Sequence, residues 1–86
     1  MIKTFKVVDE AGLHARPASL IVAEVSRHAD EAYIIYNSKR LQMKSILLVM
    51  SLGIPFGEEF SVEIIGNNDE VIISNIETIL NENKVI

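Results

Sequence analysis

The chain has 86 residues, enough for one domain spanning residues 1–86, with a small core and a shallow site rather than a deep cleft. It contains no cysteine, which excludes disulfides, zinc-thiolate sites, iron–sulfur clusters and thiol catalysis, and we expect neither a metal nor a cofactor. The net charge of −4 argues against direct nucleic-acid binding.

Charge is distributed unevenly along the chain. Residues 1–56 carry seven bases and five acids, whereas residues 57–86 carry seven acids and one base. This asymmetry favours a basic face that meets an acidic protein partner, although an ordinary solvated surface gives the same pattern. No apolar segment is long enough to span a bilayer, and none has the form of a signal peptide. We therefore expect a cytoplasmic protein without membrane insertion.

In the first half of the chain, alternating apolar residues predict a strand over residues 2–8, followed by a loop over residues 9–12. A helix is predicted from Ala15, and Pro17 falls in its first turn, where the missing N–H costs nothing. Two further strands, over residues 32–36 and 40–43, are predicted to be joined by a turn at 37–38. The predicted buried positions of the helix are Ala18, Ile21, Val22, Val25 and Ala29.

In the second half, Ser45 is predicted to be the N-cap of a short helix that ends by Gly53. A strand is predicted over residues 60–65, and a last helix follows residues 66–68. Asn67 and Glu70 have the spacing of a capping box at the start of that helix. The predicted inward-facing residues of these last two elements are Phe60, Val62, Ile64, Ile72, Ile73, Ile76, Ile79 and Leu80.

The predicted order of elements is β-α-β-β-α-β-α. Strands and helices that interleave in so short a chain indicate an α+β fold, with four strands in one sheet and helices on one face. Because few connections are long enough for a parallel crossover, we expect the sheet to be mostly antiparallel.

The segment from Gly12 to Ala18 carries the chemistry of this chain. His14 lies just before the predicted helix, whose start has no Ser, Thr, Asp or Asn to cap it. The backbone N–H groups of Ala15, Arg16 and Ala18 are therefore predicted to bind an anion, helped by the helix dipole. The Arg16 guanidinium adds a full charge and donors that suit phosphate oxygens. We expect an imidazole open to water, with no carboxylate against it, that accepts a phosphoryl group.

Each of these residues also has an ordinary structural explanation. A single histidine before a helix is more often a surface residue, a single arginine is usually a solvated charge, and Pro17 alone is a helix starter. It is their clustering around His14 that favours a functional site.

Two segments resemble one protein family. The segment from Gly12 to Ala18 reads GLHARPA, and the segment from Lys44 to Ile54 reads KSILLVMSLGI. At this spacing both are similar to HPr, the histidine-containing phosphocarrier family of the bacterial phosphoenolpyruvate:sugar phosphotransferase system. The resemblance covers nearly the whole chain. It implies an open-faced β-sandwich, with four antiparallel strands and three helices on one face.

The resemblance also implies roles for individual residues. His14 would accept a phosphoryl group on Nδ1 from enzyme I and donate it to sugar-specific IIA domains, as a carrier without turnover of its own. Arg16 would assist the phosphohistidine, and Pro17 would set the start of the helix. Ser45 matches the regulatory serine that HPr kinase/phosphorylase modifies with ATP in Gram-positive-type bacteria, which adds catabolite control protein A as a partner. A monomer is expected.

The predicted short helix is apolar on nearly every side, although a surface helix can bury only one stripe. Exposed apolar residues beside bases are typical of a protein-docking surface, unless tertiary packing covers them. Leu48 replaces a glycine that is frequent in the family, and Leu47 replaces a frequent methionine. The sequence leaves open whether Leu48 is buried. The predicted docking residues are Leu20, Arg27, Lys44, Ile46, Leu47 and Met50.

Three alternative functions remain open at this stage. The first is a regulatory module similar to HPr-like catabolite co-repressors, whose known members lack the histidine that is present here as His14. The second is a nitrogen-related phosphocarrier, and the third is a small α/β module that binds a ligand.

Overall fold

Four strands and three helices alternate along the chain in the predicted order. The computed structural model describes all residues from 1 to 86. The elements are β1 (Ile2–Lys6), α1 (Ala15–His28), β2 (Glu31–Tyr36), β3 (Lys39–Gln42), α2 (Ile46–Met50), β4 (Glu59–Ile65) and α3 (Asp69–Glu82). The predicted α+β fold, an open-faced sandwich with four antiparallel strands and three helices, is confirmed.

The strands form one sheet in the order β1-β4-β2-β3, and every neighbouring pair is antiparallel. The first strand therefore pairs with the last, with Phe5 opposite Phe60 and their ring centroids 5.7 Å apart. Strands β2 and β3 form a hairpin with a two-residue turn, in which Asn37 and Ser38 have φ values of 51° and 68°. Two positive φ angles are the signature of the turn that matches the twist of paired strands.

One face of the sheet carries the core, as the alternation in β4 shows. Phe60, Val62 and Ile64 are buried, whereas Ser61 and Glu63 between them are not. Helix α1 packs against both α2 and α3 over the buried face. The core is entirely apolar, and no buried side-chain nitrogen or oxygen lacks a hydrogen-bond partner.

The start of α3 differs from the prediction. Asn68 is the N-cap, but its side chain makes no capping hydrogen bond, since its backbone (φ −103°, ψ 22°) is not extended. The Asp69 side chain accepts a hydrogen bond of 2.8 Å from the Glu70 amide instead. The capping box predicted for Asn67 and Glu70 is therefore wrong, because the helix begins one residue later than that box requires.

Strand β1 ends at Lys6, two residues before the predicted end. The backbone of Val7 exchanges hydrogen bonds with the segment before β4, donating to the Glu58 carbonyl (2.9 Å), and the Val8 amide donates to the Val85 carbonyl (2.7 Å). The chain that leads out of β1 is thus fixed on both sides. The longest helices have 14 residues, and no helix combines the length and apolar character of a membrane span.

Candidate functional site

His14 is the N-cap residue of α1, as the sequence predicted. Its backbone is extended (φ −92°, ψ −178°), and its side chain makes no capping hydrogen bond. The imidazole is therefore not occupied by the helix start that it precedes. The side chain is 38% exposed, so the ring is accessible to a partner while one side of it rests on the protein.

The backbone donors at the start of α1 are fewer than predicted. The amides of Ala15 and Arg16 have no hydrogen-bond partner within the protein. The amide of Ala18, by contrast, donates to the His14 carbonyl at 3.1 Å. The prediction that Ala18 contributes to the anion site is wrong, because its N–H closes the first turn of the helix. Two free donors and the positive end of the α1 dipole remain beside His14.

A carboxylate faces the imidazole, which the sequence reasoning did not foresee. Asp9 Oδ2 lies 3.3 Å from His14 Nε2. The other oxygen, Oδ1, accepts a hydrogen bond of 2.9 Å from the Ala11 amide, and the Asp9 side chain is 24% exposed. The expectation of a ring without a carboxylate neighbour is wrong. An aspartate side chain that accepts a hydrogen bond from the amide two residues later forms an Asx turn. Asp9 is a residue type that favours this turn, and this local signal could have indicated where its side chain lies.

Arg16 and Pro17 occupy the first turn of α1. Arg16 is exposed and forms no ion pair, and the first turn contains no acidic residue. Its guanidinium therefore remains available to an external anion. Pro17 is buried in the third position of the helix, where an N–H would have had no intrahelical partner.

Gly12 allows the loop before His14 to approach the segment after α2. Its φ is +72°, and a Cβ atom there would lie 2.4 Å from the Ile54 carbonyl oxygen. The Leu13 amide donates a hydrogen bond of 3.0 Å to that same oxygen. Only glycine fits both the conformation and the space, so Gly12 fixes how the loop delivers His14 to the surface.

Ser45 is the N-cap of α2, as predicted. Its backbone is extended, and its Oγ accepts a hydrogen bond of 3.1 Å from the Leu48 amide. The hydroxyl hydrogen makes no hydrogen bond within the protein. The side-chain oxygen could therefore be esterified without the loss of an internal donor contact.

Exposed apolar side chains lie on two helices that pack together, α1 and α2. We call Leu20, Ile46, Leu47 and Leu48 the apolar patch. Leu47 is 82% exposed, and the other three are each about 40% exposed. Leu48, whose burial the sequence left open, is thus part of the surface. Met50, predicted to be exposed, is half-buried and packs against the core at the end of α2, next to the buried Val49.

The charged residues predicted for the same surface are exposed. Neither Arg27, in the last turn of α1, nor Lys44, just before α2, forms an ion pair. A cavity of about 260 Å³ between the end of α1 and β3 includes Lys44 in its lining, but it does not include His14. The His14 site is therefore an open surface, which suits contact with another protein better than enclosure of a small molecule. No three His, Asp or Glu side chains cluster as a metal site.

Comparisons with known proteins point to a single protein family. A family model described as "PTS HPr component phosphorylation site" matches residues 1–82. The chain is similar to the solved histidine-containing phosphocarrier protein of Mycoplasma, at 32% identity and a TM-score of 0.93, covering 100% of this chain and 98% of that chain. It is also similar to the phosphocarrier protein HPr of Bacillus anthracis, at 30% identity and a TM-score of 0.79, covering 92% and 94% of the two chains.

A further similar structure is Crh of Bacillus subtilis, described as a catabolite repression protein that forms an intertwined, swapped dimer. The identity is 28% and the TM-score 0.70, and the match covers 95% of this chain and 93% of that chain. The same fold therefore occurs in proteins described as phosphocarriers and in one described by its part in catabolite repression.

Proposed function

The chain belongs to the HPr family of phosphocarrier proteins, and we propose that His14 is the residue that carries the phosphoryl group. In this proposal enzyme I, phosphorylated from phosphoenolpyruvate, donates the group to His14, and sugar-specific IIA domains accept it. One observation carries the proposal. The His14 ring stands at an uncapped helix start, beside two free backbone amides and an unpaired guanidinium.

The chemistry follows from these groups. A ring nitrogen with a free lone pair attacks phosphorus, the bond between phosphorus and its donor atom on enzyme I breaks, and the electron pair of that bond stays with the donor atom. The amides of Ala15 and Arg16 and the Arg16 guanidinium would neutralise phosphoryl oxygens during this step. Phosphoryl transfer needs in-line positioning and charge stabilisation more than covalent help from the protein. Because the group leaves again for an IIA domain, the protein is a carrier rather than an enzyme.

The proposed docking surface for enzyme I and the IIA domains consists of the apolar patch together with two exposed bases, Arg27 in the last turn of α1 and Lys44 just before α2. Burial of apolar side chains at such a surface contributes binding free energy, and exposed bases speed the encounter with acidic partners. We propose that the protein acts as a cytoplasmic monomer, since each partner must reach His14 in turn.

Ser45 is the proposed site of regulation. HPr kinase/phosphorylase would transfer a phosphoryl group from ATP to its hydroxyl, and catabolite control protein A would bind the product. The added charge of about −1.5 to −2 would lie at the start of α2, next to the apolar patch. It would therefore act on docking partners rather than on the fold.

Incubation with phosphoenolpyruvate and enzyme I tests the carrier function. We expect one acid-labile phosphoryl group per chain, lost in His14→Ala and retained in His28→Ala. His28 is an exposed histidine at the other end of α1 and is the matched control. A wild-type protein that stays unphosphorylated by enzyme I would refute the proposal.

A second candidate function is that of a regulatory module that acts mainly by protein binding. The similarity to the Crh structure favours it. In that case only the Ser45-phosphorylated form would bind a transcription factor, and His14→Ala would leave that binding unchanged. An assay of phosphoryl transfer to sugar-specific IIA domains distinguishes a sugar carrier, which transfers the group to them, from a nitrogen-related phosphocarrier, which does not.

A further inference from the structure

We propose that Asp9 is a positioning residue for His14, holding the imidazole so that Nε2 carries the ring hydrogen and Nδ1 presents its lone pair. This inference rests on the proposed phosphoryl transfer at His14. It starts from the contact of 3.3 Å between Asp9 Oδ2 and His14 Nε2, the only ion-pair contact that the ring makes.

The Asp9 carboxylate is itself held in place. Its Oδ1 accepts a hydrogen bond of 2.9 Å from the Ala11 amide, and its backbone carbonyl accepts one of 2.9 Å from the Gly12 amide. The preceding residue, Val8, is bonded to the Val85 carbonyl at the other end of the chain. One carboxylate oxygen thus fixes the loop, which leaves the other oxygen aimed at the ring.

This arrangement selects one form of the imidazole. An ionised carboxylate only accepts hydrogen bonds, so the ring nitrogen that faces it carries the hydrogen. In the neutral ring the other nitrogen, Nδ1, then holds the lone pair. A carboxylate that fixes which ring nitrogen of a histidine carries the hydrogen is a recurring arrangement at catalytic sites.

The same contact favours the transfer step itself. When the Nδ1 lone pair forms the N–P bond, the bond between phosphorus and the donor atom breaks, and its electron pair leaves with the donor. The His14 ring, still carrying hydrogen on Nε2, gains a formal positive charge. The Asp9 carboxylate lies beside that charge and stabilises it, in the way that a buried aspartate stabilises an imidazolium in hydrolases.

Asp9→Asn is the informative variant. Asparagine also forms the Asx turn, so its oxygen keeps the bond to the Ala11 amide, and its NH₂ group then faces Nε2. A donor at that place favours the form with hydrogen on Nδ1, which has no lone pair there. The matched control is Glu10→Gln, which removes a neighbouring exposed carboxylate that makes no contact with the ring.

Nitrogen-15 NMR of the ring, on unphosphorylated protein, reads the tautomer directly. We expect hydrogen on Nε2 in the wild type and in Glu10→Gln, and a shift toward hydrogen on Nδ1 in Asp9→Asn. A wild-type ring with hydrogen mainly on Nδ1 would overturn the inference, whether or not the variant folds. This measurement does not depend on transfer, so it remains decisive even if the proposed function fails.

Transfer kinetics provide the second readout. In Asp9→Asn the maximal rate of transfer from enzyme I should fall about tenfold, with an unchanged KM, because the partner surface is intact. A structural role alone would alter the unfolding midpoint without this split. If the wild type is phosphorylated and Asp9→Asn transfers at the same maximal rate, the carrier function stands and the role of Asp9 is refuted.

Discussion

The Leu13 amide donates a hydrogen bond of 3.0 Å to the Ile54 carbonyl, which ties the loop before α1 to the segment after α2. His14 follows Leu13 directly along the chain, and Ile54 lies shortly after α2, the helix that carries Ile46, Leu47 and Leu48. This hydrogen bond therefore joins the loop that precedes the proposed phosphoryl acceptor to the segment after α2, and we expect changes at the link to affect both stability and transfer.

Gly12→Ala tests the link. The Cβ would lie 2.4 Å from the Ile54 carbonyl oxygen at a φ of +72°, so we expect a loss of about 3 kcal/mol from the free energy of unfolding. Gly53→Ala is the control, since its φ is +60° but nothing lies within 4 Å of the added Cβ. It should cost only about 1 kcal/mol. Urea unfolding measures both, and equal losses would show that the contact with Ile54 is unimportant.

Ser45 should contribute to stability through its cap. Ser45→Ala removes the acceptor for the Leu48 amide and should lower the free energy of unfolding by about 1 kcal/mol. Ser45→Asp keeps an acceptor there and should be close to wild type in urea unfolding. A Ser45→Ala protein as stable as the wild type would mean that the cap contributes nothing.

The same Ser45→Asp protein tests regulation. Its added charge next to the apolar patch should raise the KM of enzyme I for the carrier on the order of tenfold. Ser74→Asp, which adds the same charge to an exposed position on α3, should leave KM unchanged. Equal effects of the two variants would point to net charge rather than to the position of Ser45.

The apolar patch should matter for docking and not for folding. Leu47 is 82% exposed, so Leu47→Ser should change the free energy of unfolding by less than about 0.5 kcal/mol. Because the variant lacks the apolar side chain that the complex with enzyme I would bury, the KM of enzyme I should rise about tenfold. Val71→Ser, at a residue of α3 that is 61% exposed, is the control and should leave transfer unaltered. Unchanged KM in Leu47→Ser would place docking elsewhere.

Tyr36 gives a prediction on pH. The pKa of the Tyr36 phenol is raised above its ordinary value. Burial is the largest cause, followed by the hydrogen bond to Glu58 and the negative charge of that residue. The pKa of Tyr36 is higher in the folded than in the unfolded state, so the protonated phenol contributes to the free energy of unfolding. This contribution is fully present below the ordinary tyrosine pKa and is lost as pH rises through the raised pKa of the folded state. Glu58→Gln should shift tyrosinate formation, followed by ultraviolet absorbance, to lower pH. An unshifted titration would contradict the role assigned to Glu58.

Much of the fold was predictable because it depends on short-range patterns. The buried stripe of α1, the alternation in β4 and the turn at Asn37 and Ser38 all follow from spacing within one element. The placement of His14 before an uncapped helix followed from residue types alone. The cap of α3 was mispredicted at Asn67, because the spacing of a capping box does not by itself specify the residue at which the helix begins.

The sequence by itself determined the order and approximate positions of the helices and strands, and which histidine precedes α1, since these features depend on neighbours a few positions apart. The tertiary structure decided the sheet order β1-β4-β2-β3, the exposure of Leu48 and the contact between Asp9 and the ring of His14. The first two depend on contacts between segments that are far apart in the chain, and the loop that carries Asp9 is fixed by two distant residues, by Val85 on the side before Asp9 and by Ile54 on the side after it. Backbone hydrogen bonds between such segments leave no periodic trace in the chain.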